Sequence, residues 1–192
     1  VRSETNISKG SVSVSNAAGE YIKQNVKDIQ DKSILVIGAG KMGRATMRNI
    51  ITELDTNEIT LLNRTESLSD KIAKQLDVKS DSYSNLKSNI KTADIIIVAT
   101  NADYHIITID DIDGNKVILD LSVPQNVDPT IGLHPNIKLI DVDGLSKTKD
   151  ATLKMRQGEI PKAKEIIRIR LDKFELQVNK GVEFVKKYLM ND

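Results

Sequence analysis

No cysteine and no tryptophan occur among the 192 residues, and aromatic side chains make up only 3% of the chain. Without thiols these residues can form no disulfide, no thiolate metal site and no cysteine nucleophile. Histidine is almost as scarce, and His105 and His134 lie too far apart in sequence to form a metal-binding motif. No apolar run reaches the length of a membrane-spanning helix, and no signal-peptide core is visible, so a cytoplasmic protein is expected. An excess of charge is also missing. Twenty-eight basic residues stand against 27 acidic ones, a net charge of +1, which gives no reason to expect DNA binding or attraction to an acidic membrane. Low-complexity segments are absent.

What remains is ordinary for a folded protein: 39% hydrophobic and 29% charged residues. The length suits one domain plus an appendage. The first residue is Val1 rather than Met, which reads as a piece of a longer chain.

Alternation dominates the pattern. Apolar strands are expected at 33–37, 58–62, 94–100, 116–121 and 136–140, with a short one within 78–83. Helical spacing fills the intervals at 41–54, from Thr65 as N-cap through Leu76, and at 84–90. An entry helix is expected from Ser13 or Ser15 to about Val26, with Ser11, Ser13 and Ser15 as entry and capping residues. Asp94-Ile-Ile-Ile-Val-Ala-Thr100 is apolar almost throughout, as a strand covered on both faces should be. The fold class is therefore α/β, a Rossmann-like doubly wound parallel sheet with a C-terminal helical extension. The expected divisions are an N-terminal segment with the entry helix (1–30), a nucleotide domain (31–147) and a helical extension (148–192).

The strand at Ile34–Ile37 runs directly into Gly38-Ala39-Gly40-Lys41-Met42-Gly43, a G-x-G-x-x-G turn that opens a helix. Gly38 permits the tight turn, Gly40 lets backbone N–H groups approach a pyrophosphate, and Gly43 lets the helix pack close to the sheet. The second strand ends in Asn63-Arg64, where an NAD site places a carboxylate on the ribose. A guanidinium there favours a 2′-phosphate, which points to NADPH. The plainer reading of Arg64 is a solvated surface arginine.

From Leu145 the chain becomes charged and helical. Ala163, Ile167, Leu171, Phe174, Val178, Val182, Val185 and Leu189 form one nearly straight apolar seam, with Ile166, Ile169 and Leu176 as a second strip. One reading packs this helix on its own domain. The other pairs it with a second copy as a homodimer.

Several segments in this order resemble glutamyl-tRNA reductase, which begins tetrapyrrole (porphyrin) synthesis. They are Arg2-Ser-Glu-Thr-Asn-Ile-Ser-Lys-Gly-Ser-Val-Ser-Val-Ser15, the glycine turn, Asn63-Arg64-Thr65, Ala99-Thr100-Asn101-Ala102 and Asp120-Leu-Ser-Val-Pro-Gln-Asn-Val-Asp-Pro129. The resemblance runs from residue 2 to about 147 and continues weakly through 159–178. It implies an NADPH domain followed by the start of a dimerisation helix. The enzyme's substrate is glutamyl-tRNA, reduced to glutamate-1-semialdehyde after a cysteine thiolate forms a thioester. That cysteine domain is expected upstream of Val1, so no catalytic residue is assigned in this chain.

By resemblance, Gly38, Gly40, Lys41, Met42 and Gly43 carry the pyrophosphate, and Asn63, Arg64 and Thr65 carry the adenosine ribose and its phosphate. Thr100, Asn101 and Ala102 pass the nicotinamide ribose, and Val123 and Pro124 lie near the nicotinamide. Many relatives place a small residue and a proline in the Thr100 loop, where this chain has Ala102-Asp103-Tyr104-His105. His105 is a candidate acid–base group whose plainer reading is a solvated loop residue. Asp120 is read either as a structural cap of its loop or as a catalytic contact. Two other readings remain: an NADP-dependent dehydrogenase similar to shikimate dehydrogenase, and a non-enzymatic nucleotide-binding module.

Overall fold

Every residue of β1 (Ile34–Ile37) is buried, and alternate side chains serve opposite faces of the sheet. Ile34 and Val36 join one core cluster, whereas Leu35 and Ile37 join the other. This two-sided burial is why the strand is uniformly apolar rather than alternating. The structure is a computed structural model that describes residues 14–147, 165 and 167–171. Its other strands are β2 (Ile59–Leu62), β3 (Lys79–Ser80), β4 (Ile95–Val98), β5 (Lys116–Asp120) and β6 (Ile137–Asp141). They form one six-stranded sheet in the order β3-β2-β1-β4-β5-β6, with every pairing parallel.

Helices α1 (Val14–Asn25), α2 (Lys41–Leu54), α3 (Glu66–Leu76) and α4 (Leu86–Thr92) cover the sheet. The first face is closed by Ala18 and Ile22 of α1, Met47 and Ile50 of α2, and Ile72 of α3. The second face is closed by Ile90 of α4 and by Ile107, Val127 and Ile131 from loops. Between β4 and β5, and between β5 and β6, the crossovers hold only short 3₁₀ turns, Ile109–Asp111 and Pro129–Leu133. Helices α2 and α3 end on Asp55 and Asp77, both left-handed, where a glycine would be the usual choice.

The third strand is shorter than the pattern suggested. Only Lys79 and Ser80 pair with β2, and Tyr83–Asn85 turn into a 3₁₀ helix before α4. The Asp81 carboxylate explains the early exit. It accepts from Ser82 N, Asn85 Nδ2 and Asn89 Nδ2 at 2.8, 3.0 and 2.7 Å, which bends the chain out of the sheet. Thr65 does occupy the N-cap of α3, but its hydroxyl makes no capping bond. Ser11 and Ser13 lie outside the described residues.

Asp94 ties the sheet together at its amino-terminal end. Its Oδ2 accepts from Ser33 N at 2.9 Å and from Ser33 Oγ at 3.0 Å. Burial raises its pKa, but the two Ser33 bonds and the Lys32 and Lys116 charges outweigh that and hold the carboxyl below its ordinary 3.8. The folded state then binds fewer protons than the unfolded one. The resulting stability is complete above the unfolded value and is lost as pH falls through the folded one. In Asp94→Asn the urea midpoint should therefore fall less steeply below about pH 4 than in the parent. Parallel acid limbs in the two proteins would mean that Asp94 does not contribute.

The sheet and its helices belong to one unit, Val12–Lys149, and a second comprises Val1–Ser11 and Asp150–Asp192. Of the second, the structure describes residue 165 and residues 167–171, all helical, with Ile167, Ile169 and Leu171 exposed. The rest of the seam from Ala163 to Leu189 lies outside the described residues. Among the described residues no helix is long and apolar enough to cross a membrane.

Candidate nucleotide site

The strand order reverses between β1 and β4, so the crossovers leaving those two strands diverge and open a crevice at their carboxyl ends. A cleft of about 410 Å³ lies there. This volume falls within the ordinary range for a small-molecule site. Gly38, Gly40, Lys41, Met42, Asn63, Arg64, Thr65, Thr100, Asn101 and Ala102 all line it. The structure thus gathers ten of the residues that the sequence nominated from three separate segments.

The glycines do three different things. Gly38 has φ +111, and a Cβ there would stand 2.3 Å from the Ala99 carbonyl oxygen. Gly43 does not line the cleft. A Cβ on it would meet the Gly38 oxygen at 2.0 Å, so its bareness lets α2 sit against the end of β1. A Cβ on Gly40 would meet nothing within 4 Å. The fold has no need of glycine there, so the space beside Gly40 is free for a ligand to approach the backbone. Gly40 is also the N-cap of α2, whose first-turn N–H groups at Lys41, Met42 and Gly43 have no intrahelical acceptor.

Asn63 is committed to the protein itself. Its Oδ1 accepts from Ala39 N at 3.1 Å, and its Nδ2 donates to Thr65 O at 3.1 Å. It locks the glycine turn to the tip of β2 and leaves the exposed Arg64 as the cation facing the cleft there.

Asp120, at the end of β5, is 1% exposed. Its carboxylate accepts from Ser122 N at 3.0 Å, Asn126 N at 2.7 Å and Val127 N at 2.9 Å. All this capacity goes to shaping the 121–127 loop, as the capping reading expects. Val123 and Pro124 belong to that loop but lie outside the main cleft. They line a neighbouring depression of about 270 Å³ with Gln125 and Asp141, and Val123 is 76% exposed. The bond between them is cis. His105 is exposed on the loop after β4 and is not among the cleft-lining residues.

Sequence reasoning assigned no role to Asn126, which is fully buried. Its Oδ1 accepts from Thr100 Oγ1, and its Nδ2 donates to Ala102 O at 2.9 Å and to Tyr104 O at 3.1 Å. Its backbone oxygen accepts from Ile106 N at 2.7 Å. Asn126 therefore moulds the 100–106 loop, one wall of the cleft, and is itself set by Asp120. Nothing local distinguishes such an asparagine from a surface turn residue. Tyr83, Tyr104, Leu68 and Ile106 also line the cleft without having been nominated.

A second depression, of about 390 Å³, opens around the amino ends of β4 and β5. Three of its four lysines are occupied: Lys116 Nζ donates to Lys91 O and Ala93 O, Lys138 to Asn25 Oδ1, and Lys32 pairs with Asp94. Doubly wound sheets bind ligands at the opposite end, so the carboxyl-end cleft is the candidate site.

Known proteins match on the same terms. The family model described as Shikimate / quinate 5-dehydrogenase matches residues 20–148. Glutamyl-tRNA reductase 2 of Flavobacterium johnsoniae is 40% identical over 184 residues, covering 95% of this chain and 42% of that protein. The chain thus spans less than half the length of this relative. The solved glutamyl-tRNA reductase of Methanopyrus kandleri superposes with a TM-score of 0.79 at 26% identity, covering 93% of this chain and 47% of that one. The nucleotide-binding domain of the Thermoplasma volcanium enzyme, at 20% identity and a TM-score of 0.62, shares the fold over 77% of this chain and 99% of its own. The chain belongs to the Shikimate / quinate 5-dehydrogenase family and, over the span it shares with them, is a homologue of the glutamyl-tRNA reductases.

Proposed function

We propose that this chain is the NADPH-binding part of a glutamyl-tRNA reductase and holds the hydride donor for reduction of glutamyl-tRNA to glutamate-1-semialdehyde. The observation that carries this reading is the open space beside Gly40 at the N-terminus of α2, with Arg64 on the same cleft. NADPH would supply the hydride, and the residues here would bind and orient it. First-turn N–H groups of α2 would take the pyrophosphate, and Arg64 the 2′-phosphate. Thr100, Asn101 and Ala102 would border the far ribose. The thioester-forming cysteine is not among these 192 residues, so the chain by itself would bind cofactor without forming product.

A shikimate-dehydrogenase-like reading draws on the family description. Against it, that model stops at residue 148, whereas the similarity to glutamyl-tRNA reductase covers 95% of the chain. Likeness beyond the nucleotide fold favours the reductase.

Arg64→Ala tests the cofactor choice. Loss of a charge-assisted phosphate contact costs about 1.5–3 kcal/mol, roughly ten- to a hundredfold in affinity. NADPH should lose that factor, while NADH, lacking the phosphate, should scarcely change. Equal losses for both cofactors would reject the assignment.

The proposal extends to a homodimer formed through the C-terminal helix. Ile167, Ile169 and Leu171 are exposed, and a continuous apolar seam left in water is an aggregation hazard. Sedimentation should give a dimer for the full chain and a monomer for residues 1–159. A monomer in both cases at high concentration would end this part of the reading.

A further inference from the structure

One end of the cleft is not accounted for by the dinucleotide motif. Tyr83 and Tyr104 line it beside Arg64, Leu68 and Ile106. Tyr83 follows β3 and Tyr104 lies in the loop after β4, two strands that are not neighbours in the sheet. Their turns bring the rings to one cleft over the tips of β2 and β1. In a chain with only four tyrosines and no tryptophan, this places half of them on one site.

Neither ring is fully taken up by the core, although Tyr83 packs in part against the cluster on the second face of the sheet. Tyr104 is 54% exposed, and Tyr83 is half-buried. Their backbones, by contrast, are held. Glu66 Oε1 accepts from Tyr83 N at 3.1 Å and from the neighbouring Ser82 Oγ at 2.6 Å. The Tyr104 carbonyl accepts from the buried Asn126 Nδ2 at 3.1 Å. Aromatic rings on fixed backbones lose little entropy when a flat ligand settles on them. The phenols also lie within electrostatic reach of each other. Burial, then Tyr104, raises the Tyr83 pKa above its ordinary 10.0, with the Arg64 charge pulling it down.

Direction along the sheet selects the ligand group. The pyrophosphate would sit at the tip of β1. The two halves of the dinucleotide must then diverge, one toward β2 and β3 and the other toward β4 and β5. Tyr83 and Arg64 mark the β2–β3 side. We propose that Tyr83 and Tyr104 form a purine-gripping end of the cleft that holds the adenine base while Arg64 takes the adjoining 2′-phosphate. This inference rests on the cleft being the NADP(H) site. It assigns base recognition to two side chains that the glycine motif does not specify.

Calorimetric titration of the full chain with NADPH and with 2′,5′-ADP tests it. Base–aromatic stacking predicts that Tyr83→Ala and Tyr104→Ala each weaken both ligands by about tenfold and by the same factor. Tyr83→Phe and Tyr104→Phe, which keep the ring, should stay within about twofold of the parent. With no tryptophan present, tyrosine emission reads the contact directly. In the parent, 2′,5′-ADP should quench it, and in either Phe variant part of that quenching should vanish. Unchanged 2′,5′-ADP affinity in both alanine variants would overturn the proposal and leave the cofactor reading standing. A loss confined to NADPH would overturn it too, because the rings would then serve the nicotinamide half. Failure of the parent to bind either ligand would remove the cofactor reading and this inference together.

Discussion

Gly43→Ala is expected to destabilise the nucleotide domain severely, although Gly43 does not line the cleft. Its Cβ would lie 2.0 Å from the Gly38 carbonyl oxygen and 3.2 Å from the carbon behind it. Both partners are backbone, so no side chain can rotate away. Relief requires α2 to retreat from β1, which loosens Met47 and Ile50 on the first face of the sheet. Ordinary overpacking costs about 1–3 kcal/mol, and a backbone clash belongs at or above the top of that range. In a domain of this size that lowers the melting temperature by roughly 10 °C. Gly40→Ala should behave in the opposite way. Its Cβ meets no protein atom within 4 Å, so the melt should match the parent while dinucleotide affinity falls about tenfold or more. Circular-dichroism melts with cofactor titrations separate the two. A Gly43→Ala melt within two degrees of the parent would contradict the packing argument.

Removal of the Asp120 carboxylate should have an effect of similar size. Three backbone N–H groups, those of Ser122, Asn126 and Val127, converge on it out of water. Each buried donor left unsatisfied costs about 1–3 kcal/mol. Asp120→Ala should therefore lose about 4 kcal/mol or more, some of it recovered if water enters the site. The damage should extend to the cofactor cleft. Asn126 is positioned by Asp120 and in turn holds Thr100, Ala102 and Tyr104. Asp120→Asn keeps one acceptor oxygen and should fall between the parent and the alanine variant. Urea unfolding of the three proteins, with NADPH affinity measured on each, is the test. An Asp120→Asn protein of parental stability and cofactor affinity that fails only in the complete enzyme's turnover would instead make Asp120 a catalytic contact.

The cleft was readable in advance where the chemistry is local. Gly38 and Gly43 were readable because a positive φ and a close helix contact leave glycine as the workable residue, whereas at Gly40 the fold leaves only open space. Arg64 was readable as well, because the motif fixes where the second strand must end. Asn63 was half-readable. Its position at the strand tip was evident, but its bond to Ala39 N is formed only when β1 and β2 pair.

The sequence by itself determined the layer architecture and the helix that begins at Lys41. Burial on two faces makes strands uniformly apolar, and a 3.6-residue period marks helices, so both signals lie within a few neighbouring residues. Only the tertiary structure decided which further residues shape and complete the cleft. Asp120, Asn126, Tyr83 and Tyr104 acquire their roles from contacts between loops that follow different strands, and a buried clasp asparagine looks the same in sequence as one in a solvated turn. Tertiary structure likewise cut the third strand to Lys79–Ser80, because Asp81 finds more hydrogen-bond partners in the turn than the sheet edge could offer. Elements follow from local spacing, whereas sites follow from which strand tips the sheet order brings together.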